Sequence, residues 1–559
     1  MLITVRTLWG LFGRRRAPWL LLSLLVALTS AVEALAAASV FALVRLLSTG
    51  SVALPLLGTA SLADGDLPGF AAAVIAVFLV RAALVVLHDW LLYRLCYGAG
   101  AEVETALLRG YLTLPPRRIR ARGQAQLVRN VHDTVMTVVE EGLVPVVLAV
   151  GSVLQTVAVL SVMLLVAPVP TLAAALLFAP VLVLISRGLR RPARRLGQQA
   201  ESALGSSLQV ATETLHLAAD IRAAGRSEDF AARFGVVRRE LARAGGAEEV
   251  LRAFPRLVGE TTLVAFVLGY VAVATAAGQA EAVLPTIGLF AYAALRVLPH
   301  LIGLVGTAHS VAHSGPALRT VLADEPLIRA GRRTARPGSP PATVELRGAT
   351  VRIPGTGRAV LDGVDLLLRR GDVVAVVGPN GAGKSTLVDV IAGVLPLDAG
   401  VVCADGTPLT ELEDVWATQV AMVPQHVHLL DADVGVNVTL DPSGRSSDGP
   451  RVTAALDAVG LAPVVQRLAG ASIGEDGRSL SGGERQRVAV ARALHRQAGV
   501  LLIDEGTSAL DTASRAGFLA LVGNRSEERI TVLVTHDAEL ARSCSRVVRV
   551  EGGALHEER

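Results

Sequence analysis

Six long apolar stretches in the first 310 residues constrain the fold of this chain more than any other feature. Each is near or above the roughly twenty residues that a helix needs to cross a membrane. They lie at about residues 18–47, 69–97, 142–167, 170–188, 255–278 and 283–307. With 52% hydrophobic residues and a mean hydropathy of +0.51, the chain is too apolar for an ordinary soluble protein. We therefore predict a multidomain membrane protein that begins with an all-α domain of six transmembrane helices.

Arginine is distributed unevenly between these stretches. Residues 46–80 contain no arginine or lysine, whereas residues 98–141 and 187–256 are rich in arginine. The positive-inside rule then predicts that the N-terminus, both arginine-rich loops and the C-terminal half are cytoplasmic. The arginines follow the apolar stretches and the net charge is only +4, which favours the lipid bilayer over nucleic acid as a partner. We expect a multi-pass protein of the cytoplasmic (inner) membrane.

The two arginine-rich loops are too long for simple turns and contain few helix breakers. We therefore expect the membrane helices to continue well into the cytoplasm. Residues 130–137 and 216–225 are candidate contacts for the soluble domain, and an ordinary solvated helix is the alternative for each. The first apolar stretch is too long for a cleaved signal peptide, so we expect a retained first span.

A glycine-rich loop from Gly378 to Thr386 follows the apolar run 373–377 and precedes apolar residues at helical spacing. Strand, glycine loop and helix in this order form a phosphate cradle, in which backbone N–H groups and the helix N-terminus face the anion. Lys384 and Ser385 are then placed to reach the outer phosphates and Mg²⁺. Lys384 is the one lysine among the 53 basic residues of the chain. The predicted cradle comprises Gly378, Asn380, Gly381, Ala382, Gly383, Lys384, Ser385 and Thr386.

Two further segments of the C-terminal half carry polar groups that suit the same chemistry. Asp504 and Glu505 end the apolar run 500–503, where an aspartate can hold Mg²⁺ and a glutamate can take a proton from an attacking water. Residues 479–487 form a second glycine-rich turn that opens a helix, which is another anion-binding helix start. One chain has no obvious need for two cradles per nucleotide. We therefore predict that each nucleotide lies between Lys384 of one copy and Ser481 of another.

Taken in order, these segments resemble the motifs of ABC-transporter ATPase domains. The resemblance covers the Lys384 loop, Gln425 in Val-Pro-Gln, residues 480–486, Asp504 and Glu505, residues 508–511 and His536. Together with the six spans it extends over nearly the whole chain, which looks like an exporter-type half-transporter. It implies an α/β P-loop ATPase domain that binds ATP and Mg²⁺ and couples hydrolysis to transport.

The resemblance also implies a role for each matching residue. Asp504 holds Mg²⁺ together with Ser385 and Gln425, and Gln425 also senses the lytic water and couples the ATPase domain to the membrane half. Glu505 is the general base, and His536 contacts the γ-phosphate; these two and Gln425 are the predicted catalytic residues. Ser481 and Gly483 contact the nucleotide of the partner chain, and Asp511 lies at the dimer seam. Ile353 stands where the family usually has an aromatic ring against adenine, which leaves open how the base is held. A homodimer is the simplest assembly and a heterodimer stays open.

The membrane half more weakly resembles the flippases of lipid-linked oligosaccharides. The likeness rests on short segments around Glu33, Arg81, Arg256 and Arg296, and it implies that the three arginines line a cavity and hold a pyrophosphate-linked sugar. A further arginine of that family is replaced by Gly303. The alternatives are an ion pair of Arg81 or Arg296 with Glu33 or Asp89, and simple extension of Arg256 to the membrane surface. The family likeness also suggests an external helix within residues 48–68.

These inferences define the predicted organisation and function. We expect a transmembrane domain at 1–325, a linker rich in turn formers at 326–342, and the ATPase domain at 343–559. The expected function is ATP-driven export or flipping of an amphipathic, anionic lipid-linked glycan, with export of a peptide or other secondary metabolite as the alternative. Fusion of both domains on one chain favours export over uptake. The three cysteines lie far apart, so no disulfide or zinc site is predicted.

Overall fold

The protein is described by a computed structural model that covers residues 10, 12, 16–49, 51–54, 58–61, 67–114, 119, 122–276, 280–329, 336–353, 357–445, 447–504 and 528–558. The chain divides into two compact units. One contains residues 1–110 and 125–329, and the other contains residues 111–124 and 330–559. We describe each unit by itself.

The described residues of the first unit are helical apart from one short hairpin. Among the described residues, six helices are long and apolar enough to cross a membrane, as the sequence predicts. A helix satisfies its backbone hydrogen bonds internally, which a lipid environment requires. The long and short helices described in this half of the chain are, in order, α1 (Arg16–Thr49), α2 (Leu67–Leu112), α3 (Gln124–Arg129), α4 (Val135–Val138), α5 (Val144–Val166), α6 (Pro168–His216), α7 (Ala218–Ala223), α8 (Ser227–Ala276), α9 (Ala280–His313), α10 (Gly315–Ala323) and α11 (Glu325–Arg329).

Several of these helices are much longer than a membrane is thick. Helices α6 and α8 contain 49 and 50 residues. At about 1.5 Å per residue each spans roughly 75 Å, more than twice the hydrocarbon thickness of about 30 Å. They therefore extend beyond the lipid, which agrees with the prediction that the helices continue into the arginine-rich loops.

Two π-helical turns separate α3, α4 and α5. They cover Asn130–Thr134 and Val139–Leu143, and the first falls within the predicted contact segment 130–137. A π turn inserts an extra residue and shifts the helical faces that follow it. In the second predicted segment, residues 216–225, the chain leaves α6 and forms the short helix α7.

The connection between α1 and α2 differs from the expected external helix. Its described residues form strands β1 (Ser51–Leu54) and β2 (Gly58–Ser61), which pair in an antiparallel hairpin. The expectation of a helix within residues 48–68 is therefore wrong for these residues. The glycine and proline content of the segment disfavours helix, which explains the outcome.

Where the structure describes it, the second unit is an α/β domain built on two sheets. Its elements are β3 (Thr343–Arg352), β4 (Ala359–Arg369), β5 (Val373–Val377), α12 (Lys384–Ile391), β6 (Ala399–Ala404), β7 (Thr407–Pro408), α13 (Glu413–Gln419), β8 (Val420–Val423), α14 (Val434–Thr439), α15 (Pro450–Ala458), α16 (Ala462–Leu468), α17 (Gly482–His495), β9 (Val500–Asp504), β10 (Ile530–Val534), α18 (Ala538–Arg542), β11 (Arg546–Glu551) and β12 (Ala554–Glu558).

The larger sheet has the strand order β12-β11-β5-β10-β9-β8. Strands β11, β5, β10, β9 and β8 run parallel, and β12 is antiparallel at one edge. The central strands β9 and β10 are buried along their whole length, because parallel strands are covered on both faces. The smaller antiparallel sheet has the order β4-β3-β6-β7 and shares a core with β5 and α12. This is the α/β domain that the sequence predicts.

Candidate functional site

The predicted site residues of the second unit follow neighbouring parallel strands at the same edge of the sheet. Val376 of β5 lies beside Val534 of β10, which lies beside Asp504 of β9. The glycine loop follows β5 and His536 follows β10. Gln425 comes two residues after the end of β8, which pairs with β9. Ligands of open α/β sheets bind at the carboxyl ends of the strands, where these segments meet.

The glycine loop adopts a backbone that other residues could not follow. Gly378, Gly381 and Gly383 have φ angles of +148°, +77° and +108°. A side chain at Gly378 would also lie 2.3 Å from the carbonyl oxygen of Val550 in β11. The glycines thus allow the loop to curve and to lie close to the sheet. The last of them, Gly383, is the N-cap of α12.

The loop encloses a cavity of about 510 Å³ that is open at one side. Lys384 at its base is only 6% exposed, and its Nζ donates to the carbonyl oxygens of Gly378 and Pro379 at 2.9 and 3.0 Å. The residues that line the cavity are Val360, Asn380, Gly381, Gly383, Lys384, Ser385, Thr386, Gln425 and His536. Ala382 instead packs towards the hydrophobic core. The structure therefore brings three separate predicted segments to one cavity.

The donor set of this cavity fits a nucleotide phosphate with Mg²⁺. A curved glycine loop, a helix N-terminus and a buried ammonium favour an anion, and hydroxyl, amide and carboxylate oxygens are ligands that Mg²⁺ prefers. Ser385 and Gln425 would supply such oxygens from within the cavity, and Asp504 from the neighbouring strand end. Glu505 and the segment 508–511 lie outside the described residues, so their predicted roles stay predictions.

The second glycine-rich turn forms a capped helix start. Ser481 accepts a hydrogen bond from the Glu484 backbone N–H at 3.2 Å, and Glu484 accepts one from the Ser481 N–H at 2.7 Å. Arg467 donates to the same carboxylate at 3.0 Å. Ser481 and Gly483 are not among the described residues that line the Lys384 cavity. Within one chain, this turn is therefore separate from the described lining of the Lys384 cavity.

This capping arrangement predicts an acid-sensitive contribution to stability. Burial raises the pKa of Glu484, but the hydrogen bonds from Ser481 and Arg467 outweigh it and hold that pKa below its usual value. The stabilisation is complete above the ordinary carboxyl pKa of about 4.3 and is lost as pH falls through the lower folded-state pKa. Glu484→Gln should lower the free energy of unfolding at pH 7 by at most about 1 kcal/mol, because Arg467 is half exposed.

Unfolding measured against pH tests this, with Glu475→Gln as the matched control. Glu475 pairs with Arg478, but both side chains are more than three-quarters exposed. Its replacement should therefore change stability by only a few tenths of a kcal/mol. Equal losses in both variants would contradict the role given to the capped carboxylate.

In the first unit, Arg81 and Arg296 share one counterion. Glu33 of α1 is 2% exposed and pairs with Arg81 of α2 and with Arg296 of α9, the latter at 3.4 Å. The Tyr292 hydroxyl donates to the same carboxylate at 2.7 Å. This is the ion-pair alternative that the sequence left open for the two arginines, and it links three helices. Arg256 is more exposed and pairs with Glu260 one turn away at 2.7 Å.

Sequence reasoning missed two residues of these sites. Tyr292 lies four residues before Arg296, so the two share one face of α9, and that spacing could have revealed it. Val360 belongs to β4 and reaches the phosphate cavity only through the packing of the two sheets. No local pattern marks it.

An apolar cavity of about 240 Å³ lies on the other side of α9. Phe290, Ala293, Val297 and Leu301 of that helix line it at helical spacing, together with residues of α5, α6 and α8. Thr171, a polar residue at its wall, donates to the backbone oxygens of Ala167 and Met163. The cavity is therefore an apolar space separate from the Glu33 cluster.

Comparison with known proteins gives two family matches along the chain. Residues 20–290 match the family described as "ABC transporter transmembrane region", and residues 361–508 match the family described as "ABC transporter". Together they cover most of the chain, and one match lies within each of the two predicted domains. They confirm the resemblance of the ATPase motifs.

Among curated relatives, the chain is 38% identical over 264 residues to "Mycobactin import ATP-binding/permease protein IrtB" of Mycolicibacterium thermoresistibile, which covers 44% of this chain and 45% of that protein. It is 37% identical over 214 residues to "ATP-dependent lipid A-core flippase" of Ralstonia nicotianae, which covers 37% of this chain and 36% of that protein. The chain thus spans less than half the length of the curated relatives that it matches.

Among solved structures, a bacterial Atm1-family ABC exporter with ATP bound matches with a TM-score of 0.78. The match covers 98% of this chain and 95% of that one at 21% sequence identity. At this identity the likeness concerns the fold, which is of the exporter type. The predicted fold class, six apolar helices followed by an α/β domain, is confirmed.

Proposed function

The chain belongs to the ABC transporters, with its transmembrane region ahead of the ATP-binding domain, and we propose from this premise that it couples ATP hydrolysis to transport. The observation that carries the proposal is the cavity in which Lys384, Ser385, Gln425 and His536 meet. Lys384 and the loop backbone would hold the β- and γ-phosphates. His536 would contact the γ-phosphate, and Glu505 would take the proton of the attacking water.

Mg²⁺ is part of this proposal, bound to oxygens of Ser385, Gln425 and Asp504. When bound, it neutralises charge on the phosphate oxygens. Lys384, His536 and the loop backbone would orient the nucleotide, and Glu505 would accept the proton. Gln425 lines the same cavity as Lys384 and His536, so it could contact both Mg²⁺ and the attacking water.

We propose that the active unit contains two copies of the chain. Ser481 and Gly483 open an anion-binding helix start that lies outside the described lining of the Lys384 cavity. A second copy could place this helix start against the nucleotide, so that the Lys384 loop of one copy and the Ser481 turn of the other would both bind it. A homodimer is the simplest such assembly, and a heterodimer with a related chain would use the same residues.

The proposed cargo is an amphipathic, anionic lipid-linked glycan that is flipped or exported across the cytoplasmic (inner) membrane. Arg81 and Arg296 lie together within the membrane helices, where cations are costly and therefore suggest a task. Relatives named as flippases of lipid A-core support a lipid cargo. The arginine-rich loops support a cytoplasmic ATPase domain.

Relatives named for mycobactin import favour a second candidate, the transport of a peptide or other secondary metabolite. These relatives also carry ATP-binding and permease parts in one protein, according to their names. Fusion of the two parts therefore does not by itself support export over uptake. Export or flipping stays the proposal because other relatives at similar identity are named as lipid A-core flippases.

Cargo-stimulated ATP hydrolysis tests the proposed function. The purified protein in lipid vesicles should hydrolyse ATP faster when a polyprenyl-linked anionic glycan is added. Arg81→Ala combined with Arg296→Ala should remove this stimulation, because the anion would lose both cations. Arg226→Ala is the control, since Arg226 is an exposed cation that pairs with Asp229. Stimulation that survives the double substitution would favour the second candidate.

A further inference from the structure

We infer that Arg492 is a positioning residue for ATP hydrolysis, because it holds residues 425–432, the Gln425 segment, against helix α17. The inference rests on the proposed function and adds to it a residue outside the nucleotide cavity. Gln425 lines that cavity, whereas Arg492 is not among the described residues that line it. Arg492 therefore acts on the cavity through the protein that lies between them.

The Gln425 segment belongs to a stretch without helix or strand. This stretch, residues 424–433, joins β8 to α14. Its backbone groups need partners from elsewhere, because no helical turn or neighbouring strand pairs with them. The side chain of Asn437 in α14 accepts a hydrogen bond from the Leu430 N–H at 2.8 Å and donates one to the Leu430 carbonyl oxygen at 3.0 Å. Asn437 is fully buried, so one end of the segment is fixed by this side chain.

Arg492 of α17 supports the same stretch from a second helix. Its Nε donates to the Asn437 carbonyl oxygen at 2.9 Å, and its Nη1 and Nη2 donate to the His428 carbonyl oxygen in longer contacts of 3.5 and 3.4 Å. His428 follows Gln425 by three residues. Burial lowers the pKa of Arg492, but an arginine stays charged at neutral pH, so these carbonyl oxygens offset the cost of burying it. One guanidinium group thus joins α17, α14 and the Gln425 segment.

This contact connects the two nucleotide-binding segments that one chain contributes. Gln425 would face the nucleotide of its own chain, and the Ser481 turn at the start of α17 would face the nucleotide of the second copy. Arg492 lies about three turns after Ser481 on the same helix. A displacement of α17 would therefore move the Gln425 segment, and with it the amide that the proposal places near Mg²⁺ and the attacking water.

Arg492→Met tests the inference through separate effects on kcat and KM. Methionine keeps an unbranched side chain at this position and removes the hydrogen-bond donors. We expect kcat for ATP hydrolysis to fall about 10- to 100-fold, the usual effect of a small displacement at an active site. The KM for ATP should stay close to the wild-type value, because Lys384 and the loop backbone still hold the phosphates.

Arg496→Met is the matched control. Arg496 follows Arg492 by one turn, and its Nη2 donates to the carbonyl oxygen of Ala417 in α13, which is a contact of the same kind with a different segment. This variant should keep the wild-type kcat. Thermal unfolding of both variants, with assays well below either Tm, separates lost activity from lost folding. A wild-type kcat in Arg492→Met, or an equal loss in both variants, overturns the inference and leaves the proposed function standing.

Gln425→Ala shows whether Arg492 acts through Gln425. If it does, Arg492→Met should not lower kcat further in protein that already carries Gln425→Ala, because the effects of two residues that act as one unit do not add. Losses that multiply in the double variant would make Arg492 a general stabilising contact and would contradict the inference.

Arg492→Lys keeps the test decisive if Arg492→Met does not fold. Lysine retains the charge, but its compact ammonium group cannot match the planar guanidinium that reaches both carbonyl oxygens. It should lower kcat by a smaller factor, and again have no effect when Gln425→Ala is present. A wild-type kcat in Arg492→Lys would leave Arg492 a role in folding alone, against the inference. A wild-type protein that does not hydrolyse ATP would remove the proposed function and the inference together.

Discussion

Replacing Glu505 by Gln is expected to leave ATP binding intact and to lower the rate of hydrolysis about 10²–10⁴-fold, the usual contribution of a general base. Glu505 directly follows Asp504, which ends β9 at the sheet edge where the phosphate cavity lies. Glutamine has nearly the same size but cannot accept the proton of the attacking water. Binding depends on Lys384 and the loop backbone, which this substitution leaves unchanged. Nucleotide binding and phosphate release, measured on the same purified protein, separate the two effects.

Lys384→Met provides the contrasting variant. Lys384 is buried at the base of the cavity, and methionine fills a similar volume without the ammonium group. This variant should lose ATP binding as well as hydrolysis, because the phosphates lose their central cation. If Glu505→Gln hydrolyses ATP at the wild-type rate, the base assignment is wrong. If Lys384→Met still binds ATP as tightly as wild type, the cavity is not the phosphate site.

Much of the fold could be predicted from the sequence because its patterns are local. A stretch of twenty apolar residues predicts a spanning helix without reference to the rest of the chain, and a strand followed by a glycine loop predicts a phosphate cradle. The alignment of Gln425 and His536 with the Lys384 loop also follows, since parallel strands end at one edge. These features depend on neighbours in the chain or on the general geometry of sheets.

The environment of the membrane arginines could not be predicted in the same way. The sequence shows that Arg81 and Arg296 lie within predicted membrane spans, where a cation is costly. It leaves two explanations open, a ligand-binding cavity and an ion pair. The choice depends on which faces of α1, α2 and α9 meet, and helix packing decides that. The structure places the carboxylate of Glu33 between both guanidinium groups. A charge pattern along the chain identifies the participants, whereas their pairing requires the tertiary structure.

The glycine that begins the phosphate loop gives the second large prediction, which concerns stability. Gly378→Ala should lower the free energy of unfolding of the ATPase domain by about 3 kcal/mol or more, through strain and overpacking together. Its φ angle of +148° disfavours any side chain, and the added Cβ would lie 2.3 Å from the carbonyl oxygen of Val550. Val550 is fully buried in β11, which pairs with β5, so its backbone cannot move aside alone.

Gly552→Ala measures the cost of a positive φ angle at a position without a close contact. Gly552 also has a positive φ angle, +60°, but an added Cβ there meets no atom within 4 Å. Its replacement should therefore cost only the backbone strain of about 1–2 kcal/mol. Thermal unfolding of the two variants, with and without ATP, measures the difference. A loss at Gly378 no larger than at Gly552 would mean that the strands separate easily, and the loop would then not be held by β11. A larger loss, with ATP no longer raising the Tm of Gly378→Ala, is the result expected if close contact with β11 gives the phosphate cradle its shape.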